Sequence, residues 1–247
     1  MNIANATSKT TSLDSIERSK YNFRSLANTV EKTDNHELLV STSELKRAGF
    51  TVEPFWDTPG DIEGSCYLPY IAQHPSFELS VRQTVFEMLR EAQRLLPSEW
   101  QIVLKAGYRP FDVQVSVLEI FMDESRKRFT DWTEAQHLTH ARTFVADPTI
   151  VCPPHVTGGA VDLDIQNQVT GQRVDMGCPP NTDSEISFLH SDLLLPEQYK
   201  NRLTLLRAML GAGFAPNPNE WWHYQYGETY WAAFYGQTTT KYDVIKV

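Results

Sequence analysis

Apolar residues recur along this chain at two spacings. From Phe77 to Leu96, the positions Leu79, Val81, Val85, Phe86, Leu89, Ala92, Leu95 and Leu96 keep mostly to steps of three and four, which predicts an amphipathic helix ended by Pro97. Phe111 to Arg128 predicts a second helix, with Val115, Leu118, Phe121 and Met122 on one face. Asp131 to about Val145 predicts a third, capped by Thr130 or Asp131. Pro196 opens a fourth, with Leu203, Leu206, Met209 and Leu210 as its apolar face and Gly211 and Gly213 at its end. The other spacing is short and extended. Gln101 to Ala106 reads as a buried strand. Ala160 to Ile165 alternates apolar and acidic residues, as a strand with Asp162 and Asp164 on one face would. Glu220 to Tyr226 predicts a last strand. Trp56 to Tyr70, punctuated by Pro59, Gly60, Gly64 and Pro69, reads as a loop and as a wall of a pocket.

The polar stretch 1–35 is expected to be an N-terminal arm, and 36–247, without repeat or linker, a single domain. The balance of 22 basic and 31 acidic residues gives a net charge of -9, a surface that repels phosphate backbones, so no nucleic-acid partner is expected. No run of 18 apolar residues is present, so no membrane-spanning helix is expected. Met1 to Ser15 lacks an apolar secretory segment, which makes the cytoplasm the expected compartment and the periplasm an alternative for a processed form. Cys66, Cys152 and Cys178 have no CxxC spacing and read as small semi-buried thiols. His137 and His140 lack an acidic partner at metal-binding spacing and read as solvated. The sequence does not set an oligomeric state.

The chemistry gathers in two stretches, His155-Val-Thr-Gly-Gly-Ala-Val-Asp162 and Glu220-Trp-Trp-His223. Two imidazoles and two carboxylates supply three ligands for a catalytic zinc and a spare carboxylate to receive a proton from water. A glycine bend followed by a strand brings His155 and the acidic face to one point. Spacing alone does not separate Asp162 from Asp164, and whichever does not ligate is the candidate to orient an imidazole. Glu220 lies three residues before His223 and needs a bend or bulge to reach the same site. Trp221 and Trp222 offer apolar walls.

These residues carry a resemblance. His155-x-x-Gly158-x-Ala160-x-Asp162-Leu163 and Glu220-Trp221-Trp222-His223-Tyr224, with Gly107-Tyr108-Arg109-Pro110 upstream, resemble the zinc D-alanyl-D-alanine dipeptidase family, within the zinc D,D-peptidase and Hedgehog-like group. The resemblance implies an α+β fold, with a small, mainly antiparallel sheet carrying the zinc site and helices packed on it. It implies one Zn2+ per chain held by His155, Asp162 and His223, with Glu220 as general base and acid and Arg109 stabilising the oxyanion. Asp183, Trp221 and Tyr108 are the implied substrate-binding residues, and a small dipeptide such as D-Ala-D-Ala the implied substrate. A zinc D,D-carboxypeptidase acting on cell-wall peptides, or a non-catalytic zinc-binding module, are the alternatives. Three places depart from the family pattern, one of them the Trp56 to Tyr70 loop, which does not match the usual substrate loop. Pro153-Pro154 stands where relatives carry Ser, and Asp183 follows Met176-Gly177 two residues later than the pattern's acid.

Overall fold

A computed structural model describes residues 26–245. Its centre is a five-stranded sheet. Strands β2 (Thr51–Val52), β4 (Trp100–Ala106), β5 (Ala160–Asn167), β7 (Glu220–Gln225) and β6 (Ala215–Asn217) lie side by side in that order. Only the β2–β4 pair is parallel. A two-stranded antiparallel ribbon, β1 (Leu39–Val40) with β3 (Val81–Arg82), lies outside it. The expected α+β architecture, with a small and mainly antiparallel sheet, is what the chain adopts.

One face of the sheet is apolar. Ile102, Leu104, Val161, Leu163 and Ile165 are fully buried there, against Val85, Leu89 and Ala92 of α3 (Gln83–Leu95) and Leu205, Leu206 and Met209 of α6 (Pro196–Gly211). The period of two in the strands meets the period of 3.6 in the helices, so each contributes its apolar side to one core. A second, smaller cluster joins Cys66 and Tyr67 of α2 (Ile62–Gln73) to Val113 and Val117 of α4 (Phe111–Arg128), and to Val145 just beyond α5 (Glu134–Phe144). The remaining helices are short: α1 (Thr42–Arg47), closed by a Ser41–Glu44 capping box, and α7 (Thr229–Phe234). Among the described residues, no helix is long and apolar enough to cross a membrane.

Three expectations change. The span Trp56 to Tyr70 is largely helical, not loop. Asp61 caps α2 by accepting the Gly64 N–H at 2.7 Å, and Pro69 is carried inside the helix. Gly64 is needed for packing, since a Cβ there would collide with the Phe55 carbonyl. The helix after Phe77 starts only at Gln83, because Val81–Arg82 pairs with Leu39–Val40 as a strand. The helix before Val145 starts at Glu134, with Thr133 and Gln136 as its capping box, rather than Thr130 or Asp131.

Residues 1–25 of the expected N-terminal arm lie outside the described residues. Glu31 forms a parallel bridge with Thr239, and the Asn35 N–H donates to the Lys241 carbonyl at 3.0 Å. The C-terminal segment then runs on, and the Ile245 N–H donates to the Val156 carbonyl at 3.0 Å.

Candidate metal centre and active site

The sheet's other face carries the site. His155 comes from a one-turn 3-10 helix, Pro154–Thr157, which closes on Gly158 at φ +72°. A left-handed residue is needed there to turn the chain into β5, and glycine accepts it without a steric penalty. Two backbone links tie this turn to the end of β4. His155 Nδ1–H donates to the Gly107 carbonyl at 2.8 Å, and the Arg109 N–H donates to the His155 carbonyl at 3.1 Å. The Gly107-Tyr108-Arg109 stretch therefore positions the first histidine as well as its own arginine.

Asp162 on β5 sits opposite His223 on β7. Residues three apart on a regular strand face opposite ways, so Glu220 and His223 require an irregularity. It is present: Pro216 pairs with Tyr224, but Asn217 pairs with Glu220, leaving Trp221 to His223 bulged out of the β6–β7 ladder. Both Glu220 and His223 then line one pocket.

His155, Asp162 and His223 are buried and bring their donor atoms together. His155 Nε2 lies 3.2 Å from His223 Nδ1 and 3.1 Å from Asp162 Oδ2, and His223 Nδ1 lies 2.9 Å from Asp162 Oδ1. Ligands on a zinc tetrahedron with bonds of about 2.0–2.1 Å stand about 3.3 Å apart. The ring nitrogens are also assigned by their outer partners. With His155 Nδ1–H on the Gly107 carbonyl and His223 Nε2–H donated to Gln225 Oε1 at 3.1 Å, the lone pairs of His155 Nε2 and His223 Nδ1 face the shared centre. The residues fit the metal.

Electrostatics divide the two imidazoles. Burial, with Arg109 nearby, pushes the His155 imidazole down to about 4, the neutral form a ligand requires. Burial also opposes charge on His223, but the hydrogen bond and negative charge of Asp162 outweigh it and raise His223 to about 9. Asp162 lies well below the usual carboxylate range. Burial works against its charge there, and the two imidazoles prevail. The buried Asp162 carboxylate draws positive charge to this centre, which a proton on His223 or a divalent cation between the three donors supplies. Burial pushes Glu220 up to about 7. Its Oε2 accepts from Asn217 Nδ2 at 2.8 Å and stands 3.8 Å from His223 Nδ1.

Arg109 lies on the pocket wall, fully occupied on one side. Its Nε donates to the Tyr67 hydroxyl at 2.9 Å, Nη1 donates to Gln114 Oε1 at 3.0 Å, and Nη2 pairs with the Glu63 carboxylate. Gln114 is itself fixed by donating to the Ala146 carbonyl at 2.9 Å. Glu63 also lines the pocket, so the Trp56–Tyr70 span does wall the site, as a helix.

Several expected roles do not match the placement. Asp164 shares Asp162's face but is one pleat along, 3.4 Å from Arg173, and orients neither imidazole; Gly107 and Gln225 do that. Of the two tryptophans, Trp222 lines the pocket. Trp221 is buried in the core, its indole N–H donated to the Cys178 carbonyl at 3.2 Å, so it does not face a substrate. Tyr108 is off the pocket wall because neighbours on an extended segment point opposite ways and Arg109 takes the inward one. Asp183 is also off the wall, 3.8 Å from both Arg128 and His140. The longer Pro179-Pro180 segment is drawn aside by Asn181, which donates to both Asp61 oxygens at 3.0 and 3.2 Å. His137 is buried and bonded to Ser125 at 2.9 Å, not solvated. Glu63, Gln114, Asn217 and Gln225 were not singled out in the sequence. Only Gln225, two residues beyond His223 on the same strand, had a readable signal.

Residues 77–245 match the profile of the peptidase M15 family, described as D-Ala-D-Ala dipeptidase. The chain belongs to that family. Among curated relatives of this dipeptidase family member, a D-alanyl-D-alanine dipeptidase of Synechocystis sp. is 29% identical over 190 residues, covering 64% of this chain and 73% of that protein. A D-alanyl-D-alanine dipeptidase of Escherichia coli is 28% identical over 125 residues, covering 51% of this chain and 54% of that protein. Among solved structures, a mutant of the vancomycin-resistance D,D-pentapeptidase VanY from a VanB-type cassette, in complex with Zn(II), is 19% identical. It matches with a TM-score of 0.41, over 67% of this chain and 83% of that one.

Proposed function

We propose that this protein is a zinc metallopeptidase that hydrolyses D-alanyl-D-alanine or a closely related small dipeptide. The observation that carries the proposal is the convergence, in one pocket, of three mutually oriented donors with a fourth, separate carboxylate on the bulged strand. His155 Nε2, Asp162 and His223 Nδ1 would hold the metal. Bound there, zinc would supply Lewis acidity toward the scissile carbonyl and toward water.

Glu220 is placed to accept a proton from the attacking water and return it to the leaving amine. Its carboxyl, raised by burial to about 7, is matched to both accepting and releasing a proton near neutrality. A structural metal site has no use for such a group. Arg109 uses three N–H groups on Tyr67, Gln114 and Glu63, and a guanidinium has five. The two that remain stabilise negative charge developing on the carbonyl oxygen, from a side chain already fixed in place. Trp222 and Phe144 exclude water from the walls. The cavity has a free volume of about 80 Å³, which suits short side chains such as the methyl groups of alanine.

The test is hydrolysis of D-Ala-D-Ala, N-acetyl-D-Ala-D-Ala and L-Ala-L-Ala by zinc-loaded protein, with bound metal quantified. Cleavage of the free D-dipeptide that stops with a chelator is the expected result. Faster cleavage of the N-acetylated substrate would shift the assignment to a D,D-carboxypeptidase. Zinc binding with no cleavage would leave a non-catalytic module, and failure to bind zinc would end the proposal.

A further inference from the structure

A dipeptide's C-terminal carboxylate calls for a cationic partner on the pocket wall. Pro153 and Pro154 line it beside His155 and carry no backbone N–H. On the adjoining wall, Thr143 and Phe144 lie within α5, and the Val145 N–H closes that helix on the Ala141 carbonyl at 2.9 Å. Of the cationic side chains on the wall, Arg109 is buried and committed to Glu63. Arg142 remains, in the last turn of α5.

Arg142 is built to hold an orientation. Its Nε and Nη2 both donate to Asp147 Oδ2, at 2.9 and 2.6 Å. The other oxygen of Asp147, Oδ1, accepts from the Thr149 N–H at 2.8 Å and the Thr149 hydroxyl at 2.6 Å. The Asp147 side chain is 4% exposed and the Arg142 side chain 36%, so the carboxylate is an inner anchor and the guanidinium reaches outward. No hydrogen bond among the described residues uses Arg142 Nη1. The guanidinium therefore keeps a preorganised edge on the pocket rim, suited to a carboxylate.

We propose that Arg142, held by Asp147, is the subsite for the substrate's terminal carboxylate. It selects dipeptides with a free C-terminus over amides and longer chains. The proposal rests on the dipeptidase reading above and adds to it the residue that recognises the second end of the substrate.

The experiment pairs a change in the substrate with a change in the protein. Zinc-loaded wild type and Arg142→Gln are assayed on D-Ala-D-Ala and on its C-terminal amide. Wild type is expected to prefer the acid by about 10- to 100-fold in kcat/KM, the range for one hydrogen-bonded charged contact, mostly through KM. Arg142→Gln is expected to lose that preference, its kcat/KM for the acid falling by about 10- to 100-fold and far more than for the amide. Arg142→Lys is expected to recover part of the preference. A role confined to bracing the loop would instead lower both substrates together and lower Tm. The comparison of acid with amide on wild type needs no variant, so it holds even if Arg142→Gln fails to fold. Equal cleavage of acid and amide by wild type overturns the Arg142 subsite and leaves the dipeptidase reading intact. Cleavage of neither overturns that reading, and the subsite with it.

Discussion

The two walls of the pocket are built in different ways. The metal wall is made from β5, β7 and the Pro154–Thr157 turn, and its three donors come from segments in which backbone pairing sets each side chain's direction. The opposite wall is made from α2 and the stretch after β4, where Arg109 is placed by side chains: Tyr67, Gln114 and Glu63. One wall holds its chemistry by register, the other by a buried polar network. The difference teaches that disturbing each wall should have its own signature. Errors on the first appear in metal affinity, and errors on the second in turnover with the metal retained.

The sharpest separation comes from Asp162→Ala, expected to abolish zinc binding and turnover together, as read by metal content and peptidase assay. The same variant should lose the stabilisation that zinc confers on wild type. That gain grows with the logarithm of free zinc over its Kd, so a chelator should lower wild-type Tm and leave the variant's unchanged. Glu220→Gln should lower kcat by about 10²–10⁴ while zinc stays stoichiometric. Near-full activity in that variant would remove Glu220 from the proton-transfer role. Gln225→Ala frees His223 Nε2 and is expected to weaken zinc by about 10- to 100-fold, measured by chelator competition. Tyr67→Phe removes one support of Arg109 and should lower kcat by about 10-fold at unchanged zinc affinity. If it weakened zinc as much as Gln225→Ala does, the two walls would not be separable. The smallest effect is on the fold itself. Gly64→Ala pushes α2 off the Phe55 carbonyl and should destabilise by about 1–3 kcal/mol in denaturant unfolding.

The same contrast governs what could be read from the sequence. The metal wall was legible because its information is local: a glycine bend, an alternating strand, and a histidine three residues after a glutamate. The α4 span Phe111–Arg128 and the α6 start at Pro196 were legible for the same reason. The Arg109 wall was not. In α2, Gly64 and Pro69 serve tight packing and helix geometry, yet on the page they look like loop punctuation. Glu63 shows its importance only once α2 folds against α4 and meets Arg109 in the stretch after β4. Asp162 and Asp164 differ by one pleat, which spacing does not separate; the family resemblance favours Asp162, and it is Asp162 that pairs with His223. Trp221 and Trp222 could not be divided between core and pocket without the bulge in β7. Asp183 lies off the pocket wall, on a loop whose Asn181 is bonded to Asp61 far away in sequence.

The hydrogen bond from Ile245 to the Val156 carbonyl has a practical meaning for anyone handling this protein. Ile245, the last of the described residues, is stitched to the turn that presents His155, one position from the histidine itself. A probe attached close to Ile245 would be mechanically coupled to that turn and would report on loading of the centre.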